Sequence, residues 1–218
     1  MDTTILTEIA TILLYAFVIP LIISVFKFKH LSKELKVLSY YLYLSAISEI
    51  TAQILASYFS NNLPVFHVYT IAEFFLLGYI YHLILKDNLK NLVLYIIAGF
   101  TIFSIINSLF IQKITEFNTY ARTVENILLI LLSIIYFYTV LKDLKIKRLS
   151  KEPMIWINMG VLFYFSCSLF LFIFSNILLN LSMKINDVMW FVHGIFNLTL
   201  YLFITIALWL APKKQIST

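Results

Sequence analysis

Four ionisable side chains lie inside long apolar stretches of this 218-residue chain: Glu49, Glu73, Glu125 and His193. An ionisable group at the centre of a membrane helix costs about 2.5–3.5 kcal/mol, so it normally faces the interior of a helix bundle and has a partner there. Carboxylates near an imidazole can bind a cationic or polar small molecule, carry a proton, or join helices by hydrogen bonds. These four residues are therefore the first candidates for a functional site.

Helical spacing adds polar neighbours to them. Tyr69 precedes Glu73 by four residues, Asn126 follows Arg122 by four, and Asn197 follows His193 by four, so each pair shares a helix face. We expect carboxylates to supply charge in this site, and tyrosine and tryptophan to supply its walls. The predicted ligand-binding set is Glu73, Glu125, His193, Tyr69, Asn126, Asn197, Trp190, Glu49 and Arg122.

A purely structural role is the main alternative for these residues. Polar side chains in membranes commonly hold helices together, at about 0.6–2 kcal/mol per contact. Arg122 can act in the same way, by neutralising one of the carboxylates. Asn107, Asn158 and Asn176 are further amides at membrane depth, and we expect them to serve packing.

Enzymatic chemistry has little support in the sequence. Glu73, Glu125 and His193 are weak candidates for metal ligands, because no H-E-x-x-H or similar fixed spacing is present. There is no G-x-S-x-G turn and no nucleotide-binding loop, and the single cysteine, Cys167, lies among phenylalanine and leucine. No lysine falls inside an apolar stretch, which excludes a retinal Schiff base. No cofactor is predicted, and a non-enzymatic role is favoured.

The elements that position these residues follow from composition. Apolar residues make up 61% of the chain and charged residues 12%, whereas soluble proteins average about 45–50% and about 25%. A helix needs about 20 apolar residues to cross the bilayer. Seven such stretches predict an all-α integral membrane protein, a single seven-transmembrane-helix domain over 1–218 with the lipid bilayer as its surroundings. Their predicted bounds are 5–26, 37–59, 65–85, 92–112, 119–141, 154–179 and 187–211.

The distribution of basic residues predicts the orientation. Three of the 16 Lys and Arg residues fall on one side, Lys113, Arg122 and Lys184, and the other thirteen fall on the opposite side. By the positive-inside rule the N-terminus is outside and the C-terminus is cytoplasmic. The net charge of +5 is thus explained by topology, and no nucleic-acid partner is expected. The richness in Ile, Asn, Lys and Phe is typical of AT-rich bacteria and predicts a bacterial cytoplasmic (inner) membrane.

Several functions remain open at this point. Only four glycines and four prolines are present, which favours unbroken helices, and no output domain is recognisable outside the spans. These features favour a receptor-like or sensory bundle that binds a small polar ligand from outside and signals through a cytoplasmic or membrane protein partner. The alternatives are a small-solute or proton-coupled transporter, for which Glu49 is nearer the midplane, an intramembrane metal-dependent hydrolase, or a structural membrane subunit.

Overall fold

Helices are the regular elements throughout the residues that the computed structural model describes, which are 13, 15–59, 61–85, 87–143, 148–178 and 183–211. A 3-10 turn at Tyr15–Phe17 leads into the first of the seven α-helices that these described ranges contain, and a π-helical turn at Asn107–Ile111 extends the fourth. The helices are α1 (Val18–Lys27), α2 (Lys33–Phe59), α3 (Leu63–Ile84), α4 (Asp87–Ile106), α5 (Thr119–Asp143), α6 (Pro153–Leu178) and α7 (Met183–Leu210).

Five of these helices are long and apolar enough to cross a membrane. Within the described residues they are α3 to α7, over Leu63–Ile84, Leu89–Ile111, Thr119–Asp143, Pro153–Phe174 and Ile185–Leu210. The helix α2 has 27 residues, but serines, tyrosines, Glu49 and Gln53 interrupt its apolar sequence. The first predicted span lies partly outside the described residues. Over the residues that the structure describes, the chain is therefore all-helical and multi-pass with five candidate spans, while the count of seven and the orientation stay predictions.

Successive helices pack side by side, and α1 packs against α7 while α3 packs against α5. Leucine and phenylalanine side chains fill the interior, for example Leu42, Phe74 and Leu208, which are fully buried. Large apolar side chains such as Ile102 and Phe110 are exposed on the outer surface. Apolar side chains on both the inside and the outside fit a bundle surrounded by lipid, since lipid does not drive apolar groups inward as water does.

Buried amides fix the start of α5. The side-chain nitrogen of Asn107, in the π-helical turn, donates to Gln112 Oε1 at 3.2 Å and to Asn118 Oδ1 at 2.9 Å. Gln112 Oε1 also accepts the Tyr120 backbone N–H at 3.0 Å. These bonds satisfy a backbone donor in the first turn of α5, which otherwise has no partner in the helix. They hold the turn from which Arg122 projects.

A second polar contact fixes the start of α3. Both ring nitrogens of His67 are bonded, Nδ1 to Ser108 Oγ at 2.8 Å and Nε2 to the Glu116 carbonyl oxygen at 3.0 Å. His67 thus ties α3 to the connection between α4 and α5.

Further along the bundle, Asn158 of α6 accepts from Tyr81 of α3 at 2.7 Å and from Ser133 of α5 at 2.9 Å.

A cleft of about 520 Å³ opens at the opposite end of the bundle, between the starts of α2 and α6 and the end of α7. Glu34 and Glu152 lie on its wall with Lys33 and Lys151. Partial burial raises the pKa of the Glu152 carboxyl above its ordinary value, a backbone hydrogen bond from Met154 opposes this, and the charge of Glu34 adds to the rise.

The raised pKa of Glu152 predicts a pH-dependent stability. The folded protein binds this proton more tightly than the unfolded chain, so its contribution is complete below about pH 4.3, the ordinary pKa of glutamate, and is lost as the pH rises through the raised value. We expect Glu152→Gln to melt at the same temperature as the wild type at pH 4 and at a higher temperature at pH 7. Thermal unfolding in detergent measures this, with the exposed Glu116→Gln as a control. A constant difference between pH 4 and 7 contradicts it.

Close packing of α6 on α7 at Gly160 gives a second stability prediction. A Cβ at position 160 would lie 2.9 Å from Phe203 Cβ, an atom fixed to the backbone, whereas a Cβ at Gly99 meets nothing within 4 Å. Gly160→Ala should destabilise the protein by about 1–3 kcal/mol through overpacking. Gly99→Ala should be neutral or stabilising by up to about 1 kcal/mol, because alanine is the better helix former. Equal melting temperatures for the two variants would contradict the packing argument.

Candidate functional site

A buried ion-pair cluster joins α3 and α5. Arg122 Nη1 donates to Glu73 Oε2 and, at 3.0 Å, to Glu125 Oε2. All three residues are buried, with exposed fractions of 7% for Arg122, 1% for Glu73 and 0% for Glu125. Glu125 lies three residues after Arg122 on the same helix, so the pair forms within one turn, while Glu73 completes the cluster from the neighbouring helix.

The cluster is rich in carboxyl groups. It contains two carboxyls and one guanidinium, and arginine keeps its charge in proteins. With both carboxyls ionised, one negative charge is in excess, which a proton or a bound cation would neutralise. Glu125 Oε1 is buried and has no hydrogen-bond partner among the described residues.

Aromatic rings and hydroxyls surround the cluster. The guanidinium carbon of Arg122 lies 5.3 Å from the ring centre of Tyr69 and 5.1 Å from that of Phe172, within the range of cation–π attraction. The Tyr69 hydroxyl donates to Glu73 Oε1 at 3.0 Å and lies 3.0 Å from Ser45 Oγ. This chain of contacts connects α2 through α3 to the arginine on α5.

A cavity of about 110 Å³ lies beside the cluster, at the end of the bundle where α3, α5 and α7 begin. Arg122 forms part of its wall, and Glu49 on α2 supplies a carboxylate whose Oε1 accepts from Gln53 at 3.0 Å. The complete lining is Phe17, Ser45, Ser48, Glu49, Phe66, Tyr69, Arg122, Tyr164, Trp190, His193, Asn197 and Tyr201.

The wall formed by α7 has a polar stripe at helical spacing. His193, Asn197 and Tyr201 follow one another at steps of four. His193 Nε2 lies 3.1 Å from the Tyr164 hydroxyl, and the histidine ring meets the edge of Trp190 at 5.8 Å between ring centres. The histidine is therefore held between aromatic side chains from α6 and α7.

The structure brings most of the predicted site residues together, in two layers. Six of them line the cavity: Glu49, Tyr69, Arg122, Trp190, His193 and Asn197. Glu73 and Glu125 are bonded to Arg122 and are not part of the cavity wall.

Asn126 also lies outside the cavity wall. With its side-chain oxygen and nitrogen exchanged, which satisfies both atoms, the Asn126 amide donates to the Arg122 carbonyl oxygen at 3.1 Å and accepts from the Leu169 backbone N–H at 3.2 Å, which ties α5 to α6. Within the described ranges, no group of three His, Cys, Asp or Glu side chains is placed to hold a metal ion.

Sequence reasoning did not select several aromatic residues of the site. Tyr164 bonds His193, Phe172 lies against Arg122, and Phe66 and Phe17 line the cavity. Each lies in an apolar helix among other large apolar side chains, so its type and spacing carry no distinguishing signal. Only the fold shows that they belong to the site, because it places them beside its polar residues or in the cavity wall.

Comparison with known proteins gives no relative from which a function could be transferred. No protein-family model, curated protein or solved structure matches the chain.

The ion-pair cluster predicts that removing Arg122 strongly destabilises the protein, but only while the carboxyls of Glu73 and Glu125 are present. Arg122→Gln leaves two buried carboxyls without their cation, and breaking a buried pair in this way costs about 3–5 kcal/mol. We expect most of this loss to disappear in the triple variant with Glu73→Gln and Glu125→Gln, because no buried acid then remains. Thermal or chaotrope unfolding in detergent measures the difference.

Lys113→Gln provides the matched control for charge removal. Lys113 makes an exposed pair with Glu116 at 4.0 Å, and its loss should change stability by about 1 kcal/mol or less. The assignment of Arg122 fails if Arg122→Gln is no more destabilising than Lys113→Gln, or if the triple variant is less stable than the single one.

Proposed function

We propose that this protein is a seven-helix membrane receptor or sensor that binds a small polar ligand in the cavity beside Arg122 and acts through a separate partner protein. In this proposal the N-terminus is outside and the C-terminus is cytoplasmic, so the cavity lies in the outer half of the membrane. The inner loops, which carry most of the lysines, would meet the partner.

The main support for this proposal is that polar side chains from several helices line the same cavity. Glu49 comes from α2, Arg122 from α5, and His193 and Asn197 from α7. A pocket between the helices of a bundle, with a few converging polar groups among aromatic walls, is the usual form of a small-molecule site. A ligand there would contact elements that are far apart in the chain, and could change how they pack.

Two features favour a sensor over a transporter. The helices that form the cavity, α2, α3, α5, α6 and α7, run without a break over 22 to 28 residues each. Transporters commonly build their central sites from discontinuous helices. In addition, the Arg122–Glu73–Glu125 cluster fixes one wall of the cavity, which suits a binding pocket with limited movement.

The proposed orientation gains support from the burial of Arg122. Since this arginine is inside the bundle, the basic residues predicted for the outer loops reduce to Lys113 and Lys184. Lys27, at the other end, donates to the carbonyl oxygens of Leu208 and Trp209 at 3.0 and 2.9 Å, and so neutralises the negative end of α7.

Proton-coupled transport is the second candidate, and it is favoured by Glu125 Oε1, which has no hydrogen-bond partner in the part of the chain that the structure describes. A buried carboxyl with an unoccupied oxygen, next to a second carboxyl, is a suitable carrier for a proton. Uptake into proteoliposomes that follows a pH gradient, and that is lost in Glu49→Gln or Glu125→Gln, would replace the sensor by this function.

Filling the cavity should abolish ligand-induced stabilisation. We expect at least one compound from a panel of amines, sugars and organic acids to raise the melting temperature of the wild-type protein by a few degrees at saturating concentration. Ser48→Leu places a large side chain in the cavity and should remove this shift. Thr51→Leu, on the exposed face of the same helix, should keep it.

The reverse result has a clear meaning. If no compound stabilises the wild type, or if Ser48→Leu and Thr51→Leu respond alike, the cavity is not a ligand site and the polar cluster serves packing alone. A structural membrane subunit would then be the better description.

A further inference from the structure

We infer that the ligand of this cavity is a small organic ammonium ion, held by the Glu49 carboxylate and by the aromatic walls. This inference rests on the proposed function, because it assigns a chemical class to the same site. Three observations carry it: the charge around the cavity, the nature of its walls and its size.

The charge around the cavity favours a cation. Besides His193, the wall contains one guanidinium, that of Arg122, and one carboxyl, that of Glu49. The charge of Arg122 is already balanced, since its Nη1 donates to carboxyl oxygens of Glu73 and Glu125. With all three carboxyls ionised the four groups sum to two negative charges, and with a proton on Glu125 they still sum to one. Charges in a desolvated site interact strongly, so a ligand with one positive charge is preferred over a neutral or anionic one.

Aromatic side chains make up half of the cavity wall. Six of the twelve lining residues are phenylalanine, tyrosine or tryptophan: Phe17, Phe66, Tyr69, Tyr164, Trp190 and Tyr201. The face of an aromatic ring is negative and attracts ammonium groups, and tryptophan attracts them most. A carboxylate that lines one small cavity together with several aromatic rings suits the recognition of an amine.

The size of the cavity limits the ligand to a few atoms. A cavity of about 150 Å³ in a protein core accommodates benzene. The present cavity measures about 110 Å³, so the ligand has fewer atoms than benzene unless the helices move apart. A hydroxyl on such an amine would have Asn197 of α7 or Ser48 of α2 as a hydrogen-bond partner, since both line the cavity.

A series of compounds of similar size separates charge from shape. Ethanolamine is protonated at neutral pH, ethylene glycol is its neutral counterpart, and glycolate is its anionic one. Choline serves as a bulkier cation. Trp190 lies in the cavity wall, so a Trp156→Phe/Trp209→Phe variant has it as the single tryptophan and reports binding by fluorescence.

We expect ethanolamine to bind with a dissociation constant of about 1 mM or below, at least about 10-fold more tightly than ethylene glycol, glycolate or choline. Glu49→Gln keeps the size of the side chain and removes its charge, so it should weaken ethanolamine binding at least about 10-fold. Glu116→Gln, outside the cavity, should bind like the parent. If Glu49→Gln does not fold, the comparison of the four compounds on the parent still decides the charge preference.

The outcomes distinguish the two proposals. If ethylene glycol or glycolate binds more tightly than ethanolamine, and Ser48→Leu abolishes that binding, the ammonium assignment is wrong. The cavity is then still a ligand site. Equal ethanolamine affinity in Glu49→Gln and Glu116→Gln also overturns it. No change in Trp190 fluorescence or melting temperature with any compound of the series or the wider panel overturns the ligand site itself, and the ammonium assignment with it.

Discussion

The buried guanidinium of Arg122 is the constraint on which the rest of this structure depends. Arginine cannot lose its charge, so its burial in an apolar bundle requires acidic partners at hydrogen-bond distance. Glu125 supplies one from the same helix, and Glu73 supplies the other only if α3 and α5 pack together at that depth. Tyr69 then bonds Glu73, and Ser45 approaches Tyr69 from α2. One charged side chain thus sets the relative position of three helices and forms a wall of the cavity.

Polar contacts have this influence because lipid weakens the usual driving force. Between membrane helices, apolar packing distinguishes one arrangement from another only by shape, whereas a hydrogen bond or ion pair requires a particular depth and rotation. The bundle has such polar contacts at two depths. Asn107, Gln112 and Asn118 fix the beginning of α5, and Asn158 joins α3, α5 and α6 further along. The cavity lies between helices that these contacts hold together, at the end of the bundle where α3, α5 and α7 begin.

The sequence was sufficient for the helices and for the membership of the polar cluster, but not for its geometry. Apolar runs predicted the helices α3 to α7. The four-residue spacing of Tyr69 and Glu73 predicted that they share a helix face, and in the structure the Tyr69 hydroxyl donates to Glu73 Oε1 at 3.0 Å. Spacing along a helix leaves its rotation and its neighbours undetermined. For that reason the sequence did not show that Arg122 contacts both carboxyls, that Glu73 and Glu125 lie behind the cavity wall, or that Tyr164 and Phe172 belong to the site.

The two sides of the cavity differ in how firmly they are held, and this difference suggests how binding could be transmitted. Arg122 is fixed by two carboxyls and two rings, whereas the Glu49 carboxylate has Gln53, on its own helix, as its partner. A cation between Glu49 and the rings of α7 would join α2 to α7, and α1 packs against both. The opposite ends of α2 and α7 border the 520 Å³ cleft that contains Lys33 and Lys151. In the function that we propose, a displacement of α2 as a unit at the cavity would also move the end of α2 that borders this cleft, and a partner protein would sense the change there.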